Sequence, residues 1–240
     1  MVTYFISSSA NGLYTAASKI PNFVILFSQI FIDAWQLSAV DEYDQEGGRQ
    51  FFTKVFRVYS GGIFAVASVL ILLCQFITKI LVAKSYYDSW QFVPILIIAT
   101  TYSCVVNFLA SIYMAEKKNV MSLVTAMSGA ITNFVLNLVF IPRIGANGAA
   151  LATVCAFLVV FVTRAIDTRR FIKIDFKLPV LLGETAVLVT QSILLLKYDG
   201  TLWVYIIEVL LVVVMLLLNL KPIKELVNLI LAKFLKKRKN

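Results

Sequence analysis

The sequence predicts an all-α, polytopic transmembrane helix bundle of about seven spans, and three observations carry that expectation. Long apolar runs recur at 15–38, 58–82, 92–114, 120–141, 146–163, 178–196 and 201–220. A bilayer core takes about 20 apolar residues of helix to cross, and most of the runs reach that length. Two of them, Phe92 to Met114 and Val120 to Ile141, contain no charged residue. Hydrocarbon offers the backbone no hydrogen-bond partner, so each run is expected to close its own bonds as a helix. Finally, the basic residues between the runs fall on alternate sides.

On one side lie Arg49, Lys54 and Arg57, then Lys117 and Lys118, then Arg164, Arg169, Arg170, Lys173 and Lys177, and then the lysine-rich tail. Only Lys19, Lys79, Lys84, Arg143 and Lys197 fall on the other. The excess of Lys and Arg on cytoplasmic loops places the C-terminal tail in the cytoplasm, and seven crossings then put the N-terminus outside. A composition that is 60% hydrophobic, with a mean hydropathy of +0.87, is too apolar for a soluble domain of this length. The net charge of +9 would suggest nucleic acid in a soluble protein; its side-by-side distribution points to membrane lipid instead, with no nucleic-acid partner. The chain has no histidine, which removes the commonest general base and metal ligand. Cys74, Cys104 and Cys155 all lie inside spans, too far apart in sequence for a ligand cluster, and read as core packing. The expectation is a protein that is not an enzyme and carries no cofactor or metal.

The elements follow in order. Met1 to Ile6 is apolar but too short to span, and Ser7 to Gly12 reads as a polar turn. Without a basic leader or small-residue cleavage site, this start reads as the outer end of a helix whose first half is missing, so the chain looks like a fragment. The first span carries Pro21 near its outer end, which should kink it or open its first turn. The loop Asp41 to Arg57 gathers Asp41, Glu42, Asp44 and Glu46, then Gly47-Gly48, then three basic residues, and reads as a solvated turn. The outer loop Ala83 to Trp90 offers Tyr86, Tyr87 and Trp90 as an interfacial aromatic belt. Pro142 should stop the fourth span, with Gly145 and Asn147 turning the chain into a helix opened by small residues. Beyond Pro222, Ile223, Leu226, Val227, Ile230 and Phe234 share one helical face, as in an amphipathic helix on an anionic leaflet. Three regions result: a truncated helix end and turn (1–12), a transmembrane lobe (13–220) and a basic amphipathic cytoplasmic tail (221–240).

Three stretches carry a resemblance. Gly12-Leu13-Tyr14-Thr15-Ala16-Ala17-Ser18-Lys19-Ile20-Pro21, Ile32-Asp33-Ala34-Trp35-Gln36-Leu37-Ser38-Ala39, and Ile141-Pro142-Arg143-Ile144-Gly145-Ala146-Asn147-Gly148-Ala149-Ala150-Leu151-Ala152-Thr153 resemble motifs of the C-terminal half of bacterial polysaccharide flippases. These are the Wzx-type branch of the multidrug/oligosaccharidyl-lipid/polysaccharide exporter superfamily. The third stretch is the most specific, because thirteen positions agree between two spans. The resemblance implies one lobe of a two-lobe exporter of 12–14 helices, with the N-terminal lobe missing or separate. It implies flipping of an undecaprenyl-diphosphate-linked oligosaccharide across the bacterial cytoplasmic membrane for polysaccharide biosynthesis, by alternating access and coupled to an ion gradient. Half of a multidrug or toxin antiporter of the same superfamily, and a non-transporting membrane assembly subunit, stay open beside it. A membrane enzyme acting on the same glycans is disfavoured by the short outer loops.

Polar residues inside spans are the candidate site, because an intramembrane charge is costly unless it has a use. Lys19, beside Pro21, can either meet an anionic head group in a cavity or snorkel to the interface. Gln29, Asn107, Asn133 and Asn137 can bond sugar hydroxyls or neighbouring helices, and Asn133 and Asn137 share one face of their span. Arg143 can attract an anionic group or cap its helix. Asp33 and Glu208 are the ion-coupling candidates, Glu208 being the deeper; Glu184 reads as a solvated or paired edge charge.

Overall fold

The computed structural model describes residues 2–42, 48–198, 200–220 and 224. The amphipathic segment beyond Pro222 and the acidic residues Asp44 and Glu46 therefore lie outside the described residues. Every regular element among the described residues is helical: α1 (Val2–Phe5), α2 (Ser8–Ala17), α3 (Asn22–Glu42), α4 (Gly48–Leu81), a 3-10 helix (Lys84–Phe92), α5 (Val93–Ala115), α6 (Asn119–Ile144), α7 (Ala146–Asp167), a short 3-10 turn (Thr168–Arg170), α8 (Leu178–Lys197) and α9 (Leu202–Leu218). Among the described residues, five helices are long and apolar enough to cross a membrane. The pair Ser8–Ala17 and Asn22–Asp33 makes a sixth crossing if counted as one span, bent by 43°. The seventh apolar run is the shorter helix α9, at 17 residues. The chain is a multi-pass membrane protein.

The local chemistry explains where the elements depart from expectation. Ser7 does not begin a turn; its Oγ accepts from the Ala10 N–H at 3.1 Å, capping a helix that runs through Ser8 to Ala17. That helix breaks at Ser18 to Pro21, where proline has no N–H to continue it. The supposed loop before Arg57 is largely helix. Phe52, Phe56, Tyr59 and Ile63 recur at helical spacing and all are buried, which carries α4 back to Gly48. Pro142 does not end α6, which continues to Ile144; the turn is made by Gly145 at φ +65°, a conformation that disfavours a side chain. Trp90 is buried rather than part of an exposed belt, while Tyr86 and Tyr87 remain exposed.

The helices alternate in direction, so one end of the bundle gathers the α4 start, the α5–α6 and α7–α8 connections and the α9 end. This is the basic end, marked by Arg49, Lys54, Lys117, Arg170 and Lys177. At its centre α5 packs against α3, α4, α7 and α8. Trp35 of α3 stacks on Phe108 of α5 with ring centroids 5.1 Å apart, and its Nε1 donates to Ser111 Oγ at 2.9 Å. That lock gives the Ala-Trp motif its physical role. On the outside, α6 packs mainly on α7. Its inward line Thr125, Gly129, Asn133, Asn137, Ile141 steps by four residues and meets small residues of α7. A Cβ on Gly148 would fall 2.5 Å from the Phe140 carbonyl oxygen, so the closeness of this hairpin depends on glycine.

Candidate functional site

The polar residues gather in three places, and only some of the expected ones meet. Along the bent α2–α3 span, Lys19, Asn22, Gln29 and Asp33 are all exposed. At 100° per residue Asn22, Gln29 and Asp33 fall within about 40° of one another on α3, and Lys19 sits in the break just before it. Gln29 Nε2 donates to Asp33 at 2.6 Å, which links two of the candidates. This strip is polar along a span whose other exposed residues, Phe23, Ile25, Leu26, Phe27 and Ile30, suit lipid.

A second site is a cleft of about 370 Å³ where α5 and α6 diverge above α7. It brings together Asn107 of α5, Asn133 of α6, Thr153 of α7 and Arg164 of α7. Asn133 Nδ2 donates to Thr153 Oγ1 at 3.2 Å, and Asn137 Nδ2 donates to Asn133 Oδ1 at 2.8 Å. Helix-to-helix bonding thus accounts for part of the pair, while Asn107 stays exposed at the cleft.

Arg164 is the residue that sequence reasoning missed, having counted it only as a loop charge. It is buried, and its guanidinium donates to the Val106 carbonyl at 2.7 Å, to Thr125 Oγ1 at 3.0 Å and to the Ser122 carbonyl at 3.1 Å. One side chain therefore ties α5, α6 and α7 at the basic end of the cleft. Arg is suited to this because its planar fork donates in several fixed directions at once. Its neighbour Asp167, one turn on, accepts from Tyr113 at 3.0 Å and pairs with Arg170 at 2.8 Å. The available signal was the spacing of Arg164, Asp167 and Arg170, which places alternating charges on one helical face.

The third site is a cavity of about 770 Å³ at the basic end, lined by Arg49, Lys54, Arg57 and Lys177 together with Asp175, Glu184 and Asn219. The segment before α8 is strapped to α4: Arg57 meets Asp175 at 2.6 Å, Arg49 Nε donates to the Lys173 carbonyl at 2.9 Å, and the Asp175 N–H donates to Thr53. The Lys177 N–H also donates to Asp175, and that bond, reinforced by Arg57 and Lys177 charge, holds its carboxyl below the usual carboxylate range. Of the two expectations for Glu184, solvated or paired, solvation does not hold: it is 2% exposed and bonded to Asn219, which itself packs over Gly61. A basic chamber of this size at a bundle mouth can receive a multiply charged anion.

The remaining candidates stand apart. Arg143 is exposed in the last turn of α6, where its charge complements the helix C-terminus. Glu208 of α9 is fully buried and pairs with no basic residue among the described ones; its Oε2 accepts from Gln191 Nε2 of α8 at 2.8 Å. Cys74 and Cys104 are buried and Cys155 half-buried, and the three form no disulfide with one another. Among the described residues no group of His, Cys, Asp or Glu is placed to hold a metal.

Among the described residues, the long apolar helices and the bent α2–α3 pair together define an all-helical transmembrane bundle. Comparison with solved structures gives this fold a precedent. The chain is similar to the lipid II flippase MurJ in its inward closed conformation, with a TM-score of 0.65 and 16% sequence identity, over 94% of this chain and 50% of that one. It therefore spans about half the length of that flippase, and the likeness is one of fold. No family profile and no curated protein matches the sequence.

Proposed function

We propose that this chain is one lobe of a transporter that flips an undecaprenyl-diphosphate-linked oligosaccharide across the bacterial cytoplasmic membrane, by alternating access and with ion coupling. The observation that carries the reading is the exposed polar strip Asn22, Gln29 and Asp33 along α3, with exposed Lys19 in the break before it. Charged groups facing hydrocarbon cost on the order of 2.5–3.5 kcal/mol near a helix centre, so such a strip belongs against water or a polar partner. In a two-lobe transporter that face borders the pathway between lobes, and the second lobe supplies the opposite wall. The fold likeness to a lipid II flippase, and the Pro-Arg-Ile-Gly-Ala-Asn-Gly motif of the α6–α7 hairpin, support a lipid-linked glycan as cargo. The basic cavity then acts as the cytoplasmic vestibule for the diphosphate, and the alternation of Lys and Arg supports a cytoplasmic C-terminus.

The test is translocation of a fluorescent undecaprenyl-diphosphate oligosaccharide in membranes from the native host. Lys19→Ala and Asp33→Asn should each slow flipping several-fold while membrane insertion stays normal. Rates unchanged in both variants would remove the strip from the pathway.

A further inference from the structure

Along α4, α8 and α9 runs a seam of buried polar groups that the proposed pathway does not use. Ser68 of α4 donates to Gln191 Oε1 at 2.8 Å, and Gln191 Nε2 donates to Glu208 Oε2 at 2.8 Å. One turn further, Tyr205 donates to Gln75 of α4. Two turns back on α8, about 10.5 Å along the helix, Glu184 opens on the basic cavity and bonds Asn219. The α4 positions that face the seam, namely Gly61 (which admits Asn219), Ser68 and Gln75, repeat every seven residues, as do Glu184 and Gln191. The seam therefore reaches from the basic cavity into the middle of the span.

We propose that Glu208 is an exchangeable proton site in this seam, reached from the basic-end cavity by way of Glu184. Glu208 is fully buried, and its Oε1 has no hydrogen-bond partner. A lone carboxylate in such surroundings needs a compensating charge. No ion pair reaches it among the described residues. Gln191 of α8 bonds it directly and is itself held by Ser68 of α4; on its own helix Tyr205 is engaged with Gln75, and the other carboxyl along the seam is Glu184. A metal ion fits poorly. Hard cations collect about six oxygens, whereas here Gln191 aims an N–H at Oε2 and its own oxygen is occupied by Ser68. One free oxygen remains, which suits a proton. Water in the basic cavity supplies H⁺, it adds to Oε1, and the carboxylate becomes a neutral acid with no other bond changed. Leu188 and Met215, both 0% exposed, lie between the two carboxyls along their helices. Transfer then waits on a loosening of the seam, which is how occupancy would couple to a change of conformation. That coupling role rests on the transporter reading; the site does not.

The experiment treats native-host membranes carrying the full protein with dicyclohexylcarbodiimide and maps the product by mass spectrometry. This reagent takes the acid proton onto one nitrogen while the carboxylate oxygen adds to its central carbon; rearrangement leaves a stable N-acylurea with nothing expelled. The Glu208 peptide should label at mildly acidic pH and several-fold less at mildly alkaline pH, reversibly on returning the pH before adding reagent. Glu184→Gln should delay the response of labelling to a pH jump, and Glu208→Gln should abolish the signal. Labelling that ignores pH, or that occurs at Glu184 and never at Glu208, overturns the proposal. Neither readout requires transport, so loss of the flippase reading and loss of this site are separable results.

Discussion

The helices α5 and α6 look alike as sequence and occupy opposite situations in the molecule. Both come from apolar runs without a charged residue. In the span that contains α5, 72% of the most apolar window is buried; in α6 the share is 22%. Hydropathy tells a helix to enter the membrane but says nothing about whether protein or lipid will surround it, because lipid tails are as apolar as leucine. What separates the two is the distribution of small, aromatic and hydroxyl residues. Around α5 these lie on all sides, with Tyr102, Cys104, Phe108, Ser111 and Tyr113 all buried. On α6 the buried ones among them, Thr125 and Gly129, lie on a single line continued by Asn137 and Ile141, and Leu123, Met127, Ile131 and Phe134 face outward.

The contrast can be broken most forcefully by truncating one aromatic in each helix. Phe108→Ala removes a fully buried ring that stacks on Trp35 and Tyr59, and should cost about 3 kcal/mol or more. Phe134→Ala, at a ring 56% exposed, should stay within about 0.5 kcal/mol. Unfolding by sodium dodecyl sulfate in mixed micelles measures both, and equal costs would end the distinction.

A substitution where the α6 and α7 backbones meet closely sharpens the comparison. Gly148→Ala sets a methyl group against backbone atoms of Phe140 and Ile141, which cannot swing aside as a side chain would. The expected loss is about 2 kcal/mol in the same assay. A neutral result would mean that α6 is held by lipid rather than by its hairpin.

The smallest effect concerns the strap at the basic end. Asp175 is half exposed, so Asp175→Asn should cost only about 0.5 kcal/mol near neutral pH. Because folding depresses this carboxyl, its contribution is present above the ordinary aspartate range near pH 4 and is lost as pH falls through the folded value. The stability gap between wild type and variant should therefore close in acid. A gap that persists there would assign the effect to something other than the Asp175 charge.

How far the fold was legible follows from the same physics. Span positions were readable because crossing a bilayer imposes a length and forbids charge, and the break at Pro21 was readable because proline lacks a donor. The reach of α4 back to Gly48 was present in the Phe52, Phe56 and Tyr59 spacing but hidden beneath the charges between them. Of the candidate site, Asn133 and Asn137 could be placed together, since both lie on one helix. That Asn107 shares their cleft, or that Arg164 turns inward to bind Val106 and Ser122, depends on how three helices pack, and a linear pattern of charges does not encode that. Glu184 and Glu208 show the same limit: depth along a helix was readable, but which helix each faces was not.

The most direct measurement is thiol accessibility across the membrane. With Cys74, Cys104 and Cys155 replaced, single cysteines at Gln29 and Asp33 of α3 and at Phe134 of α6 would be exposed to a membrane-impermeant maleimide in native-host membranes. A water-filled pathway along α3 predicts that Gln29→Cys and Asp33→Cys react readily while Phe134→Cys does not. Equal protection of all three positions would place the α3 strip in lipid or in a dry interface and contradict the transport account.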